Sequence, residues 1–198
     1  MPGTAKEGEL ISKIIKANLL TKDKATVQAI QNQDSPKILH IASHSYFLPD
    51  KNNGENPLIR SGIVLAGANN PERDQRDDGY LTALEVTKID LSGTDLVVVS
   101  GCESGLGDIR SGEGVYGLKR SFAVAGTRSS LLSLWKVNDK ATAAFMVSYY
   151  QKLRSGEGRA KALYATQKEF RNHPIAGWQH PNVWAAFQLS GDWRPISW

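Results

Sequence analysis

The sequence predicts an α/β fold, a mostly parallel sheet with helices on both faces. Three observations predict it. Ile38–Ala42, Leu96–Val99 and Ser130–Val137 are short runs dominated by aliphatic residues, the mark of strands buried on both sides. Segments of helical period separate them. This alternation continues from residue 38 to residue 189, as parallel crossovers require. At 198 residues one domain, spanning 1–198, is expected, long enough to bury a sizeable core. Charged residues at 22% and hydrophobic ones at 40% suit a globular chain rather than a disordered one.

Thr4-Ala5-Lys6-Glu7 has the form of a capping box, and Leu10, Ile11, Ile14 and Ile15 follow at helical spacing, so a helix is predicted over 5–18. A second runs from about Lys22 to Gln31, stopped by Asp34-Ser35-Pro36. The strand from Ile38 ends at Ser43-His44-Ser45. Residues 45–80 are rich in turn formers, interrupted by Gly62–Ala66, which predicts a hairpin and then an exposed loop over 67–78. A short helix is expected around Ala83–Thr87. Val115, Leu118, Phe122 and Ala125 mark a helix that Gly126 ends. Asn138-Asp139 caps the next, closed by Gly156, and a further helix covers about Gly158–Arg171. Pro174 and Pro181 bracket a loop before a last strand over Val183–Leu189.

The chemistry gathers at Leu96–Gly107. Cys102 is the single cysteine of the chain and stands just past a strand end, with Gly101 before it and Gly105 and Gly107 after. Sites in parallel sheets form at the carboxyl ends of strands. A thiol needs a base, because only a few per cent of free cysteine is thiolate at neutral pH. Two histidines lie four apart: His40 sits inside its run and reads as a strand histidine with a satisfied ring, whereas His44 lies past the end and reaches a loop-built site. Cys102 follows His44 by 58 residues.

The segments ILHIASHS (38–45), DGYLTALEV (78–86), LVVVSGCESGLG (96–107), GEGVYGLKRSFAVAGTRSSLLSLWKVND (112–139) and WAAFQLSGDW (184–193) resemble the CHAT family of caspase-like cysteine peptidases, in the family's order and over most of the chain. The resemblance implies a three-layer α/β/α sandwich, with His44 as general base and Cys102 as nucleophile in a cysteine endopeptidase. The caspase histidine lies about 50 residues upstream of its cysteine, in accord with this spacing. It also implies an oxyanion site built from the backbone N–H groups of Ser45 and Cys102, each donor worth about 2.7–4 kcal/mol in the barrier. Two departures stand out: the family usually has His-Gly where this chain has His44-Ser45, and Ala-Cys where it has Gly101-Cys102. CHAT domains also carry a strand before the PGT-x-x-E segment. Here Met1 precedes that segment directly, so the chain is expected to be the carboxyl-terminal portion of the domain, truncated at its amino-terminal end and short of one strand.

Two residues are substrate-binding candidates. Asp139 faces a basic side chain next to the scissile bond, or else caps its helix, the commoner role for aspartate there. Trp135 lines a pocket wall, or else packs. The mixed charges at Arg73–Asp78 suit a solvated loop or a groove rim. A phosphate loop at Gly107–Gly114 lacks the lysine it would need and offers Glu113 instead. The dyad calls for no cofactor and no metal. Expected partners are a protein or peptide substrate and a helical-repeat regulator. A net charge of +4 without a binding motif gives no case for nucleic acid, and no apolar run is long enough for a membrane span. A lone cysteine and no visible signal peptide lead to a cytoplasmic expectation. The rival readings are a catalytically inactive CHAT-like module that binds a protein partner, and, more remotely, a nucleotide-binding module.

Overall fold

The computed structural model describes residues 2–48, 56–69, 78–101, 113–135 and 137–198. The strands are β1 (Ile38–Ile41), β2 (Ser45–Phe47), β3 (Ser61–Val64), β4 (Tyr80–Thr82), β5 (Leu96–Val99), β6 (Ser129–Ser133) and β7 (Phe187–Gly191). The helices are α1 (Pro2–Ile15), α2 (Val27–Gln31), α3 (Pro57–Arg60), α4 (Ala83–Val86), α5 (Glu113–Val124), α6 (Asp139–Arg154), α7 (Arg159–Arg171) and α8 (Pro181–Trp184).

The central sheet has the order β1-β5-β6-β7. The first three strands run parallel and β7 runs antiparallel to β6. Alternation along β5 makes the three layers. Leu96 and Val98 meet Ile11 of α1, Phe145 and Tyr149 of α6 and Phe170 of α7 on one side. Val97 and Val99 meet Leu118 and Phe122 of α5 on the other. All four β5 side chains are buried, which is why the strand reads as one continuous apolar run. Full burial of such a side chain contributes roughly 1.5–3 kcal/mol. The second face also takes in a small antiparallel sheet, β2-β3-β4, through Ile63 and Leu81. The expected mostly parallel sheet with helices on both faces, the α/β/α sandwich of caspase-like proteins, is the fold observed.

Several boundaries differ from expectation. The first helix begins at Pro2 and ends at Ile15, where Lys16 takes a left-handed φ of 54°. Thr4 and Glu7 therefore lie inside it, and Glu7 turns its carboxylate to His40 instead of closing a capping box. The stretch Lys22–Gln31 splits into a 3₁₀ turn over Lys22–Lys24 and α2, which Thr26 caps through its hydroxyl. The strand expected over 130–137 stops at Ser133, and Leu134 N–H donates instead to the Ala186 carbonyl at 2.7 Å. The final strand is Phe187–Gly191 rather than Val183–Leu189. His180 caps and Pro181 opens a helical turn there, and that turn absorbs Val183. A 3₁₀ turn, Ala176–Trp178, sits between the two prolines that bracket the preceding segment.

Candidate active site at the carboxyl ends of β1 and β5

The site candidates follow from strand register. β1 and β5 lie side by side and parallel, with Ile38 opposite Leu96 and Ile41 opposite Val99. That register offset is 58 residues, the same interval that separates His44 from Cys102. The two strands therefore end on one rim. Cys102 itself, the glycines after it, Arg73–Asp77 of the charged loop and the segment 107–112 lie outside the described residues.

Beyond the strands the two chains stay in contact. Ser100 N–H donates to the Ile41 carbonyl at 3.2 Å. Gly101 lies so close to Ser43 that a Cβ on it would stand 2.0 Å from the Ser43 carbonyl oxygen and 3.3 Å from the His44 nitrogen. No larger residue fits this approach without backbone movement. The alanine usual in the family before the cysteine would collide here, so Gly101 is a consequence of the tight crossing.

His44 is held by its neighbours on the small sheet. The Ser43 hydroxyl donates to the Val64 carbonyl, and Val64 N–H donates to the His44 carbonyl at 2.8 Å. His44 is partly buried. Ser45 opens β2 opposite Ile63. The bond from Val64 to His44 makes His44, not Ser45, a hydrogen-bonded position of the ladder. Alternation then turns the Ser45 N–H away from β3. Its side chain, 8% exposed, donates from Oγ to the Gly101 carbonyl at 3.2 Å. Sequence reasoning missed Ser43 and this role of the Ser45 hydroxyl. The available signal was the cluster of small residues at both strand ends, Ala42-Ser43 and Ser100-Gly101.

His40 has the satisfied ring expected of a strand histidine. Its Nε2 lies 2.9 Å from Glu7 Oε1 and its Nδ1 3.1 Å from the Tyr150 hydroxyl. Burial, reinforced by the Tyr149 ring and the Glu7 charge, pushes the Tyr150 phenol well above its ordinary value, so it stays protonated and can donate to the ring. The cluster ties α1 and α6 to β1, one layer away from the rim where His44 stands.

The two substrate-binding candidates sit apart from this crossing. The Trp135 indole N–H donates to the Asn182 carbonyl at 2.8 Å and its ring packs on the α6 side of the core. Asp139 is the first residue of α6 rather than its cap. Asn138 caps, accepting from Lys140 N–H at 3.0 Å and Ala141 N–H at 3.3 Å. Asp139 packs against Gly3 of α1, where a Cβ would come within 2.5 Å of it. Among the described residues no His, Cys, Asp or Glu group has the arrangement of a metal site, and no helix is long and apolar enough to cross a membrane.

The three-layer sheet, with a histidine leaving one strand and a cysteine following the next, defines a caspase-like protein. The CHAT domain profile matches residues 1–192, and the chain belongs to the CHAT domain family. It is similar to tetratricopeptide repeat protein 28 of Homo sapiens, 25% identical over 213 aligned positions covering 96% of this chain and 8% of the relative. It is also similar to tetratricopeptide repeat protein 28 of Mus musculus, 31% identical over 111 positions covering 56% of this chain and 4% of that relative. The chain thus spans less than a tenth of the length of these relatives.

Proposed function

We propose that this CHAT domain is a cysteine endopeptidase with a His44–Cys102 dyad. The observation that carries the reading is the shared offset: β1 and β5 pair at 58 residues, and so do the histidine and the cysteine that follow them. The thiol passes its proton to the His44 imidazole, and the thiolate attacks the carbonyl carbon of a peptide bond. The tetrahedral oxyanion takes hydrogen bonds from the N–H groups of Ser45 and Cys102. Collapse breaks the C–N bond, and the imidazolium gives its proton to the leaving amine. Water, deprotonated by His44, then attacks the thioester carbonyl. The acid leaves and the thiol regains its proton. No metal or cofactor enters any step. Trp135 and Asp139 are proposed as substrate contacts only at the far side of the groove, given their packing roles. The names of the relatives support a helical-repeat regulator acting on the domain.

A mixed-sequence peptide pool digested by wild type and by Cys102→Ala, read by mass spectrometry, tests the assignment. Loss of a nucleophile costs on the order of 10⁶-fold, so every cut made by the wild type should vanish in the variant. Iodoacetamide labelling at neutral pH should be fast at Cys102 and slow to the rate of a model thiol in His44→Ala. Alkylation indifferent to His44, with no cuts by the wild type, would instead mark a binding module.

A further inference from the structure

Gly101 creates a problem that Ser45 solves. The close approach to the Ser43 carbonyl demands glycine at 101. Glycine is the residue least able to hold its own peptide units in one orientation, because it accepts both signs of φ with similar ease. One of those units joins Gly101 to Cys102. It carries the Gly101 carbonyl at one end and, at the other, the N–H assigned above to the oxyanion.

A trans peptide unit is planar, with its C=O and N–H pointing in opposite directions. Whatever grips the carbonyl therefore sets the N–H. The Ser45 hydroxyl is that grip, at 3.2 Å from the Gly101 oxygen and sheltered from competing water at 8% exposure. We propose that Ser45 is a positioning residue for the oxyanion site, its hydroxyl holding the Gly101 carbonyl so that the next amide keeps one direction. The proposal rests on the peptidase reading and deepens it. It links both departures from the usual family pattern: glycine in place of alanine opens the crossing, and serine in place of glycine restores the fixed peptide plane. One residue then contributes twice, through its own N–H turned away from β3 and through a hydroxyl that aims the second donor.

The test separates acyl transfer from thiol reactivity. Peptide cleavage builds an oxyanion, whereas alkylation by iodoacetamide does not. Ser45→Ala keeps the backbone donor and removes only the hydroxyl. Its kcat on the peptide pool should fall about tenfold with KM little changed, a smaller loss than the roughly 10²–10³-fold of deleting a donor outright. Its Cys102 alkylation rate should stay within about twofold of wild type on the same scale. Ser45→Thr, which retains the hydroxyl, should recover most of kcat. A Ser45→Ala enzyme that cleaves like wild type overturns the positioning role and leaves the peptidase standing. Equal losses of cleavage and alkylation, with a lowered melting temperature, also overturn it, because they mark a general structural role. A wild type that neither cleaves nor alkylates in a His44-dependent way removes the peptidase and this inference together.

Discussion

The two ends of the central sheet are held by opposite means. At the amino end, Asp95 before β5, Arg128 before β6, Arg159 at the start of α7 and Asp192 after β7 form a chain of ion pairs. Arg128 reaches Asp95 at 3.2 Å, Arg159 reaches Asp95 at 3.6 Å and Asp192 at 3.2 Å, and Arg194 closes on Asp192 at 2.9 Å. Arg159 is only 1% exposed. At the carboxyl end, the described contacts between β1 and β5 are backbone to backbone and hydroxyl to carbonyl, through Ser43, Ser45, Ser100 and Gly101. Long charged side chains fill and fix one rim. Small ones let two backbones nearly touch at the other and leave room above them. A substrate peptide needs that room, and a thiol poised for attack is best served by a rim without competing fixed charges.

Arg159→Ala is the largest way to challenge this division. It strands the Asp95 and Asp192 carboxylates and a buried cavity at the amino end. Breaking a buried pair by removing one partner costs about 3–5 kcal/mol, to be read from urea unfolding. In the fraction still folded, Cys102 alkylation should match wild type. A folded Arg159→Ala protein with a slowed thiol would show that the two rims are not independent.

Gly101→Ala attacks the other rim and should give the reverse profile. The methyl must displace the Ser43 carbonyl or the end of β5. Overpacking of this kind costs about 1–3 kcal/mol, less than the arginine loss. The thiol should suffer more than the fold, with the His44-dependent part of its alkylation lost. Retention of that rate would mean that the crossing tolerates a side chain and that glycine is incidental there.

How much of this was legible in the sequence depended on how local the cause was. β5 was legible because burial on both faces removes every polar residue from the run. His40 and His44 were separable because one lies inside its apolar stretch and the other past it. Two Thr-x-x-Glu patterns show the limit. Thr82-Ala83-Leu84-Glu85 forms a true capping box, with Glu85 N–H donating to the Thr82 hydroxyl at 3.1 Å and Thr82 N–H to the Glu85 carboxylate at 2.8 Å. Thr4-Ala5-Lys6-Glu7 has the same spelling, yet Glu7 serves His40, 33 residues on. A buried imidazole supplied by tertiary packing outbids the local cap, and nothing within four residues of Glu7 announces it. The contact of Gly101 with Ser43 was hidden for the same reason, since it exists only once β1 and β5 are in register.

Acid should expose the smallest difference between the rims. Hydrogen bonds from the Arg194 side chain and backbone, aided by Arg159, hold the Asp192 carboxyl well below its ordinary value of 3.8. A carboxyl depressed by folding stabilises the folded state fully above its unfolded value and loses that contribution as pH falls through the folded one. Glu169 acts in the same direction. Burial alone would raise its carboxyl, but hydrogen bonds from Lys152 and Ser148 outweigh that and lower it. The melting temperature should therefore be level near neutrality and decline below about pH 4. Asp192→Asn should flatten part of that decline, and the remaining slope belongs to Glu169 and the other carboxylates. The change should be modest, because the Arg194 partner faces solvent and exposed ion pairs contribute little. An unchanged acid slope in Asp192→Asn would remove Asp192 from the set of groups that tie the amino end together, and would leave the buried Arg159–Asp95 contact to hold that rim alone.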